Sequence, residues 1–444
     1  MKRKRARARN RRAMRTRDVA FAARSFRELK MDSGTREGRT REANGLGFVD
    51  KAFGCCWLDA ASAMVSTKCN KLFEVEIDRR RSSARGRFRE VEIGRENVAR
   101  GPVTRSMGRS ITGPRSLVAT WARGVIGASR DVGDDLVPVV APCGRRSGGA
   151  HAVVCSELRE HVLCSGGPDH DVVSFARDVD TDALVPRLAL RGHEDVVFGI
   201  DFCSRDTAAT CSRDGTVKIW RLPRVSDVTE YDYIACAKSI VPHPSCGIQN
   251  ERIRGVKSVG NHLATVSSGG VVHQLDIEHG MNGGLVRMYP FPGYLETSCI
   301  ATNGRTVVVG SRTHVGFADF RERRLHASVA LPFDDMNSVR SLSWITQSSH
   351  LLTFGGGRGT IYFYDERVRR YLNNEQGFVH ELHNADLCVP LSAEDEERLA
   401  FDDMSRACLL PAILAHQWDD SGRLLVAGGP LQALLSGFFM GIWS

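Results

Sequence analysis

The run from Arg191-Gly192-His193 to Thr210-Cys211-Ser212-Arg213-Asp214-Gly215-Thr216-Val217-Lys218-Ile219-Trp220 constrains the fold more than any other stretch of the chain. A Gly-His pair followed 27 residues later by a Trp that closes a β-branched run is the punctuation of one WD40 β-propeller blade. The spacing has a physical reason. His193 and Thr210 are placed to form a hydrogen-bonded relay with Asp214 and the indole N–H of Trp220, tying the outer loop to the inner strands. Asp214-Gly215 supplies the tight turn between two of those strands.

Weaker copies of the segment recur in register. Their Trp220-equivalent slots fall at Val75, Phe175, Leu275, Ala318, Tyr364 and Trp443. From Phe175 to Tyr364 the slots lie 45, 55, 43 and 46 residues apart, close to one four-stranded blade each. Two intervals are too long, 100 residues before Phe175 and 79 before Trp443. The expectation is an all-β, seven-bladed WD40 β-propeller over residues 45–444 with two interrupted blades; an eighth blade near residues 117–130 is the alternative. The last blade stops at its third strand, so its fourth is expected from residues 45–51. That closing pair would remove an open sheet edge.

Composition narrows the class. One propeller with tails uses the whole length of 444 residues, at 42% apolar content. There is no run of 18 apolar residues and no signal-peptide core, and the thirteen cysteines show no C-x-x-C spacing. The cysteines read as small buried hydrophobes of a reducing compartment. Residues 1–17 carry ten Lys/Arg and no acid, which turns the +9 of the chain into −1 for the remainder. Residues 1–44 are therefore expected to be a disordered basic tail suited to nuclear import; without interleaved aromatics it does not suit base stacking. Residues 79–149, rich in Arg, Gly and Ser, are expected to be a flexible insertion, and 369–409 a long loop containing the acidic run Glu394-Asp395-Glu396-Glu397.

Catalytic signals are thin. Gly355-Gly356-Gly357-Arg358-Gly359-Thr360 lacks the G-K-[ST] ending of a phosphate loop. No histidine has metal-ligand spacing and no nucleophile–base pairing can be inferred, so neither an enzyme nor a cofactor is expected. The informative residues are cations in repeat register. Lys68 and Arg213 share the turn between second and third strands, with Arg312 and Arg358 one position later in their blades. Arg254 and Arg340 share the start of the innermost strand with Phe198 and His151. Both registers lie at one end of a propeller. Converging cations are costly unless an anion binds, because like charges repel and guanidinium groups lose hydration. Each Arg can fork onto a carboxylate. Taken singly, each is by default a solvated rim cation, and 52 Arg against 9 Lys makes some coincidence inevitable.

Several runs resemble one family of WD-repeat proteins, the DDB- and cullin-associated factor 12 substrate receptors of cullin-4 ubiquitin ligases. They are Phe53-Gly54-Cys55-Cys56-Trp57-Leu58, Thr67-Lys68-Cys69-Asn70-Lys71-Leu72-Phe73, Cys211-Ser212-Arg213-Asp214-Gly215, Val339-Arg340-Ser341-Leu342-Ser343, Phe363-Tyr364-Asp365-Glu366-Arg367, Val426-Ala427-Gly428-Gly429-Pro430 and Gly441-Ile442-Trp443-Ser444. The resemblance covers roughly residues 50–78 and 148–444. It implies a non-enzymatic substrate receptor of the nucleus and cytoplasm. Docking on the adaptor, damage-specific DNA-binding protein 1, is implied through a W/Y-D-x-R box. Tyr364-Asp365-Glu366-Arg367 fits that box; Ala318-Asp319-Phe320-Arg321 is a degenerate copy. Ser25-Phe26-Arg27-Glu28-Leu29-Lys30-Met31 is the matching amphipathic docking segment. The family's basic pocket, which takes substrate C-termini ending in two glutamates, carries over to Lys68, Arg213, Arg252, Arg254 and Arg340. A nuclear scaffold in RNA processing or ribosome assembly, using the basic tail on phosphate, is the rival reading; a signalling scaffold that ignores the basic patch is another.

Overall fold

The seven slots found in the sequence all fall on third strands, and each pairs with a second strand in the same register. Val75 faces Ala63, Phe175 faces Val162, Trp220 faces Ala208 and Leu275 faces Leu263. Ala318 faces Val307, Tyr364 faces Leu352 and Trp443 faces Leu424. A computed structural model describes residues 51–76, 88–91, 149–372, 380–381, 412–429 and 439–443, apart from short interruptions within them. Each described repeat is an antiparallel meander whose first strand is innermost. First strands begin at Ala52, Val153, Val197, Ile253, Cys299, Val339 and Ala412. Each touches the next, and the last touches the first, so the sheets close into a ring around an axial channel.

Among the described residues six sheets are complete blades of four or five strands, and the seventh, at the C-terminal end, has three. Six complete blades thus stand where the repeat spacing predicts seven. The proposed closing segment, residues 45–50, lies outside the described residues. Lys51 O accepts the Lys68 N–H within blade 1. The interruptions also differ from expectation. Phe88–Val91, inside the expected insertion 79–149, pairs with Leu72–Glu76 as the fourth strand of blade 1. Arg370–Tyr371 and His380–Glu381, inside the expected loop 369–409, both pair with Thr360–Asp365 and edge blade 6. Residues 79–87, 92–148, 373–379 and 382–409, which include the segment 117–130, and residues 1–44 with Ser25–Met31 lie outside the described residues.

The strand Asp232–Ala235 adds parallel to Leu184–Arg191 on the outer edge of blade 2, and Lys238–Ile240 then completes blade 3. One extended segment therefore spans two blades. The apolar core is distributed around the ring, because second and third strands are buried on both faces between neighbouring blades. Val153, Phe175 and Met64 fill the first gap; Leu163, Val172, Trp220 and Leu190 fill the next. Phe317, Trp344, Phe354 and Tyr364 fill the gap between blades 5 and 6.

His193, Thr210, Asp214 and Trp220 form one buried chain. His193 Nδ1 lies 2.8 Å from Asp214 Oδ2 and Nε2 lies 2.7 Å from Thr210 Oγ1, while Trp220 Nε1 donates to the same Oγ1 at 2.9 Å. A neutral ring protonated on Nδ1 satisfies every member. The turn beside it spans four residues, Arg213 to Thr216, and Gly215 takes the left-handed φ of 80° that the turn requires. A second chain of this kind joins blade 6 to the C-terminal sheet. Thr353 Oγ1 lies 2.9 Å from His416 Nε2 and accepts Trp418 Nε1 at 3.0 Å; Ser341 Oγ takes His416 Nδ1 at 2.7 Å. Here the His and Trp come from the next sheet, so the motif locks a joint between sheets.

These buried rings make stability depend on pH. Burial pulls His416 and His273 down to about 4. It also lowers His193, against the pull of Asp214. An unfolded histidine titrates near ~6.5, so below that value the unfolded chain takes protons that the folded rings refuse. The contribution of His416 and His273 is whole above ~6.5 and drains toward pH 4, at about 1.4 kcal/mol per unit for each ring. The urea midpoint is therefore expected to fall steadily from pH 7 to pH 5, and His416→Asn to flatten that slope.

Candidate functional site

Four innermost strands bulge at the same place. The register slips between Ala52 and Gly54, Val197 and Gly199, Ile253 and Gly255, and Val339 and Ser341. The unpaired residues are Phe53, Phe198, Arg254 and Arg340. A bulge leaves one residue out of the ladder and re-aims its side chain. The residue after each bulge meets the next blade at close range. A Cβ on Gly199 would stand 3.2 Å from Val256 N, and one on Gly255 2.5 Å from Ile300 Cγ2. Ser341 Oγ instead donates to Ile413 O of the next sheet at 3.2 Å.

The bulged residues meet from blade to blade. The Phe53 and His151 rings stack at 4.3 Å, His151 meets the Phe198 ring edge-on at 5.1 Å, and Arg254 Cζ lies 4.6 Å from the Phe198 centroid. A continuous line of contact thus crosses blades 1 to 4 along one rim of the channel. His151 is fixed there by its N–H on Ser165 Oγ, 2.9 Å away.

The other cations come to the same rim, because the start of each first strand pairs with the end of the second. Thr67 faces Ala52 and Ser212 faces Val197, so Lys68 and Arg213 emerge beside Phe53 and Phe198. Both are exposed, as are Arg252, Arg312 and Arg340; Arg254 is half-buried under its stack. Arg358 lies outside the described residues. Lys68, Arg213, Arg252, Arg254 and Arg340 therefore share one end of the ring, from blades 1, 3, 4 and 6. Two carboxylates sit among them. Asp195 Oδ2 is 3.4 Å from Arg213 Nε, and Glu251 Oε1 accepts Ser267 Oγ at 2.5 Å. Arg340 forms no ion pair among the described residues. Its charge nevertheless acts on the Cys299 thiol, which burial pushes up to about 12. This rim can take anionic groups from several directions at once. Among the described residues no group of His, Cys, Asp and Glu could hold a metal ion.

The two D-x-R pairs occupy the opposite end, at the close of third strands in adjacent blades. Asp365 is buried and accepts the Arg367 backbone N–H at 2.8 Å and Nη2 at 3.1 Å. Asp319 repeats the arrangement, accepting the Arg321 N–H at 3.0 Å and Nε at 2.9 Å. The Arg321 guanidinium holds the Asp319 carboxyl well below the usual carboxylate range. Each Asp caps a strand-end turn and folds its own Arg back over it, with the guanidinium at the surface. Thr306, the second-strand residue opposite Asp319, donates its Oγ1–H to Glu366 Oε1 at 3.2 Å, linking blade 5 to the Asp365 turn of blade 6.

A family model described as the DDB1- and CUL4-associated factor 12 beta propeller matches residues 135–444. The chain belongs to this family. Arg213, Arg252, Arg254, Arg340 and both D-x-R pairs lie inside the match; Lys68 and Phe53, in blade 1, lie outside it. The chain is also similar to the target of rapamycin complex subunit wat1 of Schizosaccharomyces pombe, 34% identical over 108 residues, which are 21% of this chain and 34% of that protein. Denticleless protein homolog B of Xenopus laevis is 35% identical over 94 residues, 19% of this chain and 13% of that protein. The chain thus matches about a third of one relative and about an eighth of the other.

The sequence reading did not find Phe53 as a rim residue, Asp195 as the partner of Arg213, or the Thr353–His416–Trp418 joint. The signal for the first was present: Phe53-Gly54, Phe198-Gly199 and Arg254-Gly255 share a glycine after the slot residue.

Proposed function

We propose that this protein is the substrate-recognition subunit of a cullin-4 RING ubiquitin ligase, itself without catalytic residues, working in nucleus and cytoplasm. One end of the propeller docks on the adaptor, damage-specific DNA-binding protein 1, through Asp365 and Arg367 with Asp319 and Arg321 beside them. The other end receives substrate C-termini that finish in two glutamates, through Lys68, Arg213, Arg252, Arg254 and Arg340. Membership of the family supports the ligase role. The observation that supports the site is the placement of these five cations, drawn from four blades, at strand ends on the same side of the ring. A Glu-Glu end presents two side-chain carboxylates and an α-carboxylate within a few ångströms, a charge density that suits converging guanidinium groups.

The test is a comparison of two peptides that differ only at the end. A fluorescent peptide ending in Glu-Glu with a free carboxylate is expected to bind, and its C-terminal amide to lose most of that affinity. Equal affinity for both would falsify recognition of the terminus. A separate experiment addresses the other face. Arg367→Ala removes the surface guanidinium that lies over Asp365 and keeps the backbone N–H that caps the turn, and the purified variant is expected to lose co-purifying adaptor while keeping its peptide affinity. If instead RNA co-sediments with the protein in a salt-sensitive manner and no adaptor is recovered, the nuclear scaffold reading takes its place.

A further inference from the structure

The degenerate box of blade 5 lacks the aromatic of its twin, yet two arginines converge on its carboxylate. Asp319 Oδ2 accepts from Arg321 Nη2 at 2.5 Å and from Arg305 Nε at 3.5 Å. Arg305 belongs to neither box. It comes from the turn between the first and second strands of blade 5, next to Thr306, which lies opposite Asp319 in the ladder. Local chemistry sets that turn. Asn303 Oδ1 accepts the backbone N–H of Arg305 at 3.0 Å and that of Thr306 at 2.8 Å, and Gly304 takes a left-handed φ of 83°. The Asp319 side chain is 10% exposed, whereas those of Arg305 and Arg321 are 69% and 63% exposed. One buried carboxylate thus holds two guanidinium groups at the surface. The row continues on blade 6, where Arg367, Arg369 and Arg370 are exposed and Arg370 lies opposite Asp365 in the ladder. Of the carboxylates around them, Asp319 and Asp365 are buried, Glu366 is half-buried and accepts from Thr306, and Glu322 is exposed. The cations are outermost.

We infer that Arg305 belongs to the docking end of the propeller and that the face formed there by blades 5 and 6 receives an acidic protein surface. This rests on the reading of the two D-x-R pairs as the adaptor-docking residues. It adds a residue from outside both boxes and states the charge that the partner's face carries. Arg321 already neutralises Asp319, and a second exposed guanidinium adds little to folding. What it adds is positive charge at the surface, where several cations on one face speed the encounter with an acidic one. The four carboxylates nearly balance the five exposed arginines, so the face suits the mixed but acidic surface of a protein better than the uniform charge of a nucleic-acid backbone. Phe320 and Tyr364, the aromatic residues of the two boxes, are buried and offer no face for base stacking.

The experiment measures binding of the purified adaptor to variants of the full chain at about 50 and about 300 mM salt, with urea midpoints recorded alongside. Arg305→Gln is expected to weaken binding about three- to fivefold and Arg305→Glu about tenfold, chiefly by slowing association. Arg305→Lys keeps the charge and is expected to stay within about twofold of the parent. The parent's affinity is expected to fall as salt rises, and that of Arg305→Glu to fall less steeply. Should Arg305→Glu fold poorly, Arg370→Glu, which reverses a charge on the neighbouring blade, is expected to weaken binding about fivefold in its place. The inference is overturned if Arg305→Glu binds the adaptor like the parent while Arg367→Ala does not, or if salt leaves the parent's affinity unchanged. It is overturned too if Arg305→Glu leaves adaptor binding intact and abolishes binding of RNA. Failure of the underlying reading looks different: the adaptor then binds Arg367→Ala as well as it binds the parent, or binds neither.

Discussion

Arg340→Glu lowers the affinity for a peptide ending in Glu-Glu by roughly 100-fold or more, the largest expected effect at the rim. A hydrogen bond from a charged donor is worth roughly 1.5–3 kcal/mol, and about 2.7 kcal/mol is a factor of 100. Reversing the charge adds repulsion to that loss. Arg340 is the residue to reverse because it projects from a bulge, is exposed, and has no carboxylate partner among the described residues. Arg213 shares its charge with Asp195 at 3.4 Å. An exposed pair of that kind is worth about 0–1 kcal/mol, so Arg213→Ala gives a smaller loss and Asp195→Asn a gain. Fluorescence polarisation at two salt concentrations checks the ranking, because all these terms shrink as salt screens them. An Arg340→Glu protein that folds normally and binds the peptide as before leaves the rim without a role.

Thr210→Val destabilises the propeller by about 2–4 kcal/mol, although it changes neither size nor shape. Thr210 is fully buried, and its hydroxyl serves both Trp220 Nε1 and His193 Nε2. Valine leaves both ring nitrogens without a partner in a place that water does not reach, at roughly 1–3 kcal/mol for each. Thr353→Val strands His416 and Trp418 in the same way, and there the damage falls on the joint between blade 6 and the C-terminal sheet. Thr210→Ser and Thr353→Ser keep the hydroxyl and are expected to recover most of the loss. Urea unfolding at pH 7.5 measures all four. A Thr210→Val midpoint equal to the parent's means that the relay contributes nothing to folding.

How much was legible follows from how local each determinant is. The third-strand slots could be read because each repeat carries an apolar residue facing the second strand, and the spacing that marks it is written within about 30 residues of chain. The cation register could be read for the same reason: Lys68 and Arg213 follow second strands, Arg254 and Arg340 sit one residue inside first strands, and strand pairing sets both. The fourth strand of blade 1 could not be read. Phe88–Val91 is a short run inside an Arg-rich stretch, and only the open edge of Leu72–Glu76 selects it. The same holds for Asp232–Ala235, whose partner belongs to the preceding blade.

Sequence alone determined the β-propeller repeat, the buried His-Thr-Trp relay of blade 3 and the residue types available at one end of the ring, because those depend on spacing within a repeat. Only the tertiary structure decided which side chains touch. The Phe53–His151–Phe198–Arg254 line and the His416 joint depend on how strands from different blades come together, and the Asp195–Arg213 pair on how the approach to the first strand of blade 3 lies against that blade's own turn; none of these partners is set by the repeat spacing.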